Sequence, residues 1–230
     1  YKARFYNSNS LKLNPFPNNT KEDEFSAIMV PKDFDAVDHF GDKNQIKFYY
    51  VNSNKFDGET KKLKRIKSNS TIYNISEAKM DTVLNKIIGD TLLPKGINTH
   101  LQEGPVSFIE QMNKLLITRN ITSIDSDKKY QLNIYQVNYN LQKSNTNLKA
   151  EPIFKLNSNY SNMHPTFDSK SGWLYFSSDR PGGYGGMDLY RVRFSEAGVV
   201  GEPENMGNDI NTASDEVFPY SYNEDVLFFS

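Results

Sequence analysis

The feature that most constrains this chain is repetition. Three landmarks return in the same order at intervals of roughly 60 residues, the sequence signature of a repeat architecture. The first is a proline at the head of a short apolar stretch, found at Pro105, Pro165 and Pro219. The second is a four-residue apolar core: Leu115-Leu116-Ile117-Thr118, Leu174-Tyr175-Phe176-Ser177 and Leu227-Phe228-Phe229-Ser230. The third runs small or polar, apolar, Tyr, any, Val or Ile, at 71–75, 133–137 and 188–192, and its tyrosines are Tyr73, Tyr135 and Tyr190. The stretch 164–192, HPTFDSKSGWLYFSSDRPGGYGGMDLYRV, shows what one unit holds. It reads as a strand at 164–167, a turn at 168–172, an alternating strand at 173–178, a glycine-rich loop at 180–186 and a strand at 189–192.

About four strands per repeat, with apolar residues on both faces, is the pattern of stacked β-propeller blades, because one such sheet cannot cover both its faces alone. The expected fold is therefore all-β: an incomplete β-propeller of four-stranded antiparallel blades, about three blades plus parts of two more. Residues 1–16 are expected to end a preceding blade, 24–100 to form a blade with insertions, 103–160 and 163–213 two further blades, and 216–230 the start of a truncated one. In the first unit the strands are expected at 25–30, 46–51 and 71–75, with a long rim loop between the first two. Residues 77–88 fit either a helical face, through Met80, Val83, Leu84, Ile87 and Ile88, or an outer strand; the repeat register favours the strand. Glu151-Pro152 and Gly201-Glu202-Pro203 are expected to lead from one blade to the next.

Composition narrows the function classes. Hydrophobic residues make up 37% and aromatic residues 13%, which suits sheets faced by Tyr and Phe rather than a disordered tail. With 27 Lys and Arg against 28 Asp and Glu, the formal net charge of −1 provides no footprint for nucleic acid or an anionic membrane. The basic run at 61–67, KKLKRIK, alternates with apolar residues and is read as a strand with a solvated face. The absence of cysteine removes disulfides and thiolate chemistry. No apolar run approaches the roughly twenty residues of a membrane span. Because the chain starts at Tyr1 and stops inside a strand at Ser230, it is expected to be a fragment of a longer protein.

Candidate chemistry centres on the loop RPGGYGGMD. Its glycine N–H groups beside Arg180 suggest an anion nest, and Asp179 with Asp188 a calcium loop. The spacing fits neither a phosphate-binding loop nor an EF-hand. The preferred reading is a hairpin connection in which Gly182, Gly183, Gly185 and Gly186 supply positive φ, and in which Arg180, Pro181, Tyr184 and Asp188 are the candidate loop contacts. Pro105, Pro165, Pro219, Tyr73, Tyr135 and Tyr190 are read as structural signatures. His39, His100 and His164 are too scattered for a metal cluster, and a packing role is expected for His164. There is no Gly-x-Ser-x-Gly elbow. The acidic residues that recur before first strands, Glu24, Glu103 and Asp215-Glu216, suit hydrogen bonds between blades better than a unique catalytic pair. No catalytic residue, cofactor or metal is expected.

The runs Glu103-Gly104-Pro105-Val106-Ser107-Phe108, Leu174-Tyr175-Phe176-Ser177-Ser178-Asp179, Pro181-Gly182-Gly183-Tyr184-Gly185-Gly186-Met187-Asp188-Leu189-Tyr190 and Gly201-Glu202-Pro203-Glu204-Asn205-Met206-Gly207 resemble the TolB-like (WD-like, WD40-like) β-propeller repeats of OmpA-family cell-envelope proteins of Bacteroidota. So does Ile210-Asn211-Thr212 followed by Asp215-Glu216-Val217-Phe218-Pro219. The resemblance is dense from Gly104 to Ser230 and thins before it. It implies a non-enzymatic protein-binding or scaffolding propeller in the periplasm, associated with the outer membrane, with links to type IX secretion or gliding. It also implies envelope protein partners, peptidoglycan contact only through a domain outside this sequence, and no nucleic acid. Two other functions are open on the same blades: the substrate-gating propeller of a prolyl-oligopeptidase-type serine peptidase, and a glycan-binding propeller.

Overall fold

The computed structural model describes residues 24–29, 45–53, 73–81, 84, 86–99, 101–124, 130–140, 148–157, 159–222 and 226–230. The expectations for 1–16, the rim loop at 31–44, the basic run at 61–67, His39 and His100 lie outside these residues.

Fourteen strands are described, in antiparallel sheets that follow chain order. The first sheet holds β1 (Glu24–Met29), β2 (Gln45–Asn52), β3 (Asn74–Asp81) and β4 (Lys86–Leu92); the second holds β5 (Glu103–Ile109), β6 (Lys114–Ile124), β7 (Tyr130–Asn138) and β8 (Glu151–Pro152). The third is β9 (Asn162–Asp168), β10 (Trp173–Ser178), β11 (Asp188–Ser195) and β12 (Gly198–Asn205), and a pair, β13 (Tyr220–Ser221) and β14 (Leu227–Phe228), begins a fourth. Each four-stranded sheet is a plain up-and-down meander. First strands lie side by side, β5 against β1 and β9, and β9 against β13. The arrangement is consistent with part of a β-propeller.

Two-sided burial follows from the alternation on the middle strands. On β6, Leu115 and Ile117 join Tyr49, Ile75, Ile97 and Val106 in a core between the first and second sheets. Leu116, one residue out of phase, joins Ile134, Leu174, Phe176, Tyr190 and Val192 between the second and third. The space between neighbouring sheets is thus filled from both sides, and a polar residue at any of these positions would strip water from a group with no partner.

Three features correct the sequence reading. Residues 77–81 remain in the third strand and 86–92 form the fourth, so the helical alternative is absent and the strand reading holds with shifted bounds. Glu151-Pro152 and Glu202-Pro203 lie in the outermost strands β8 and β12 rather than in connections between sheets. The register also displaces two landmarks. Ladder pairing sets Val106, facing Ile117, at the position of Pro165, and Pro105 at that of His164. Both prolines fall in a bulge that also occurs in β1, where a missing N–H costs no ladder bond, so either slot accepts the ring.

What joins one sheet to the next is a hydrogen-bonded clasp used three times. Asn98 Oδ1 accepts the Ile75 N–H at 2.8 Å while its Nδ2 donates to the Ile75 carbonyl at 2.8 Å. Asn157 does the same to Ile134 at 3.0 and 2.7 Å, and Asn211 to Leu189 at 2.8 and 3.0 Å. Each asparagine ends a tight turn in which one carbonyl, of Pro94, Ile153 or Gly207, accepts two successive N–H groups. The clasps recur at the interval of the repeat and fix equivalence between sheets. They place Ser76, not Tyr73, opposite Tyr135 and Tyr190. Tyr73 instead lies before β3, its carbonyl accepting the Glu103 N–H that starts the next sheet.

Asn98 is 3% exposed, so its loss orphans the Ile75 N–H and an amide-paired Leu93 carbonyl. At roughly 1–3 kcal/mol per orphaned group, Asn98→Ala is expected to lower unfolding stability by about 2–4 kcal/mol in urea titrations. Asn98→Asp should be no better at neutral pH, because it sets an acceptor against two carbonyls, and should recover as the carboxylate is protonated. An aspartate variant as stable as the parent at pH 7 would show that the donor half of the clasp contributes nothing.

Candidate functional site

The junctions bring together, at one end of the sheets, the linkers into each first strand and the glycine-rich loop. Their polar side chains recur by position. Gln102, Ser161 and Asp215 each present an oxygen to a backbone N–H at the head of the preceding third strand, those of Tyr73, Leu132 and Met187, at 2.7, 3.3 and 2.8 Å. Glu103 accepts from the Thr99 N–H and hydroxyl at 3.2 and 2.7 Å. Glu216 repeats this with Thr212, whose N–H lies at 3.0 Å and whose hydroxyl is also bonded. The third slot of this series is Asn162.

A guanidinium stands beside two of these slots, delivered from different places in the sequence. In the second sheet Arg119, on β6, bonds Glu103 Oε1 through Nε at 3.0 Å, reaches the Ile97 carbonyl, and lies 4.8 Å from the centre of the Tyr135 ring. Glu103 is fully buried, and desolvation raises its carboxyl pKa against the opposing pull of Thr99 and Arg119. In the third sheet the position of Arg119 is Ser178. Arg180, from the glycine-rich loop, takes the same place: 4.9 Å over Tyr190 and 5.2 Å over Phe176, with Nε to Ser178 Oγ at 3.0 Å and Nη2 to Asn162 Oδ1 at 2.7 Å. In the first sheet, Asn52 bonds Ser76 at 2.7 Å and Ser76 takes the place of the tyrosine platform. The tyrosine of the repeat accompanies the guanidinium.

The glycine-rich loop closes on Asp188. Its carboxylate, 1% exposed, accepts the Tyr184 N–H at 2.6 Å, the Gly185 N–H at 2.9 Å and the Asn205 amide at 2.8 Å. The nest that could have taken an external anion is therefore filled from within, and Asp188 anchors the loop rather than facing a partner. Asp179 is likewise engaged, by the Ser161 N–H at 2.7 Å. Pro181 and Tyr184 are exposed. Of the four loop glycines only Gly182 has positive φ, at 92°. The other three are needed for closeness: a Cβ on Gly183 would strike the Asp188 carboxylate, on Gly185 the Thr212 and Ser214 carbonyls, and on Gly186 the Asp215 carboxylate.

His164, φ 55°, and Phe218, φ 53°, occupy the same bulge position in successive units and stack with ring centres 3.9 Å apart. The His164 N–H donates to Thr118 Oγ1 at 2.9 Å and its Nδ1 accepts the Phe218 N–H at 3.2 Å, so one residue ties three successive units. Burial lowers its pKa from 6.5 to about 4. A second polar cluster bridges the first two sheets: Tyr49 and Tyr139 donate to Glu77 at 3.0 and 3.2 Å, and Lys47 pairs with the same carboxylate at 2.8 Å. Burial raises both phenol pKa values, that of Tyr139 to about 12, which keeps them protonated donors rather than bases. Among the described residues no three His, Asp or Glu side chains converge as metal ligands would. Sequence reading missed the asparagine clasp; Leu156-Asn157-Ser158 between Ile97-Asn98-Thr99 and Ile210-Asn211-Thr212 was the signal that could have found it.

No protein-family model and no curated protein sequence matches the chain. Among solved structures it is similar to TolB from Acinetobacter baumannii, at 13% identity and a TM-score of 0.37, over 80% of this chain and 37% of that one. The chain spans little more than a third of that protein's length.

Two outcomes are expected. Gly185→Ala should destabilise more than Gly182→Ala, whose added methyl meets open space and costs only the left-handed backbone strain of about 1–2 kcal/mol; equal losses in denaturant titrations would contradict the packing role. For His164 the folded pKa lies below the unfolded one, so its contribution is present above pH 6.5 and is lost as the pH falls toward 4, by on the order of 3 kcal/mol. His164→Phe, a side chain the next unit already holds at this φ, should flatten that limb of the stability curve relative to the parent. An unchanged limb would assign the acid loss to other groups.

Proposed function

We propose that the chain is part of a non-enzymatic β-propeller that binds a protein partner through the loops at its sheet junctions. The observation that carries this reading is the fate of the polar residues. Glu103, Asp188, Asp215, Glu216 and His164, which a catalytic site would recruit, are committed to backbone and neighbouring side chains. Catalysis needs a group free to act on a substrate, whereas these are taken up as structural hydrogen-bond partners, Glu103 and Glu216 in the same way in their two units. The exposed Pro181 and Tyr184, held on a loop anchored from beneath by Asp188, are the kind of rigid contact that protein interfaces use.

Closure of such units around an axis, and a place in the periplasm as a scaffold of the OmpA type serving type IX secretion or gliding, are the finer parts of the proposal. They rest on the sequence runs that resemble envelope-protein repeats, and peptidoglycan contact would need a domain outside these 230 residues.

The test is capture from envelope extract with the chain immobilised, compared with Tyr184→Ser and with peptide- and glycoside-hydrolysis assays. The reading expects one partner enriched by the parent and reduced about tenfold by Tyr184→Ser, with no turnover. Hydrolysis abolished by a single Asp or Glu substitution would overturn it.

A further inference from the structure

The two guanidiniums at the junctions sit in equivalent slots with unequal charge balance. Arg119 is closed by a carboxylate, Glu103 Oε1 at 3.0 Å. Arg180 meets Asn162 instead, a neutral acceptor on one Nη2 hydrogen. A guanidinium has five N–H donors, and Arg180 uses two, to Ser178 and Asn162. Among the described residues no carboxylate lies within ion-pair distance of it; Asp179 and Glu202 act on it only at longer range. Two aromatic faces fix its plane, and it is half-buried at the edge of an exposed loop.

The corresponding position carries a carboxylate in the flanking units, Glu103 before and Glu216 after. A held, partly desolvated cation facing a slot that its equivalents fill with carboxylate attracts that group from outside, since a charge-assisted bond there replaces only poorly solvated donors. We propose that Arg180 is the anchor of a carboxylate-binding site, and that the group it takes is an Asp or Glu side chain of a protein partner. This rests on the binding reading above. The exposed Tyr184 and Tyr160 flank the loop and the linker as the apolar rim of such a contact.

The test follows the Nε–Hε signals of Arg180 and Arg119 by NMR while the chain is titrated with N-acetylglutamate amide and, separately, inorganic phosphate. A saturable shift of Arg180 with the carboxylate, smaller with phosphate and absent at Arg119, is expected. Asn162→Glu should supply the missing partner internally, as Glu103 does, moving the Arg180 signal toward that of Arg119 and abolishing the response. Arg180→Gln, with the Arg119 signal as the check on folding, assigns the Arg180 resonance by its loss. No saturable shift in the parent, a response undiminished in Asn162→Glu, or an equal response to phosphate would each overturn the assignment. In partner capture, both variants should weaken binding about thirtyfold or more. Capture by the parent with no loss in either variant defeats this inference alone, while absence of any captured partner defeats the broader reading and leaves the titration to decide this one.

Discussion

The clasp of an asparagine carboxamide on a third-strand residue is the interaction on which the other features depend. A sheet that hands its chain to the next must let the fourth strand peel away, and the third strand then shows an N–H with no backbone partner beside a carbonyl that keeps one bond, from Leu93, Ile153 or Met206. A carboxamide offers one donor and one acceptor at the spacing of a strand residue. Asn98, Asn157 and Asn211 fill the gap in each described junction. Positions that need only an acceptor are looser: Gln102, Ser161 and Asp215 do one job with three chemistries.

The same reasoning explains why the repeat tyrosine is optional. Its ring matters as a platform for a guanidinium, so Tyr135 and Tyr190 occur where Arg119 and Arg180 arrive, and Ser76 occurs where Asn52 does. Moving the cation from a strand to a loop preserved the stacking and the slot but not the ion pair. A buried pair such as Glu103 with Arg119 costs desolvation on both sides and is costly to break, while a half-buried cation retains solvent and freedom to take a partner. Local chemistry thus turned one copy of a structural device into a candidate recognition element.

Strand content and the order of units were legible in the sequence because the short apolar core at 115–118 and 174–177 survives from copy to copy. The loop was partly legible: its glycines marked a tight connection, yet the close approaches that three of them permit, to Asp188 and to the 212–215 linker, involve contacts that sequence does not display. The tyrosine register failed at Tyr73 because Thr-Ile-Tyr-Asn-Ile imitates the third-strand pattern too early in the chain. A polar residue with a buried backbone task, such as Asn157, looks like any loop asparagine until the carbonyl it serves is known. Arg119 and Arg180 share no sequence position, so their equivalence is a fact of space alone.

Native-state hydrogen exchange of the Ile75, Ile134 and Leu189 amides tests the central claim most directly. If the clasps hold the sheets together, these three N–H groups, bonded to side-chain oxygens, exchange as slowly as the ladder amides of Leu116 and Phe176 and open in the same cooperative step. Exchange at the rate of the exposed Gly182 amide, with the ladders still protected, would contradict it and leave apolar packing and the His164 and Glu77 contacts to hold the sheets together.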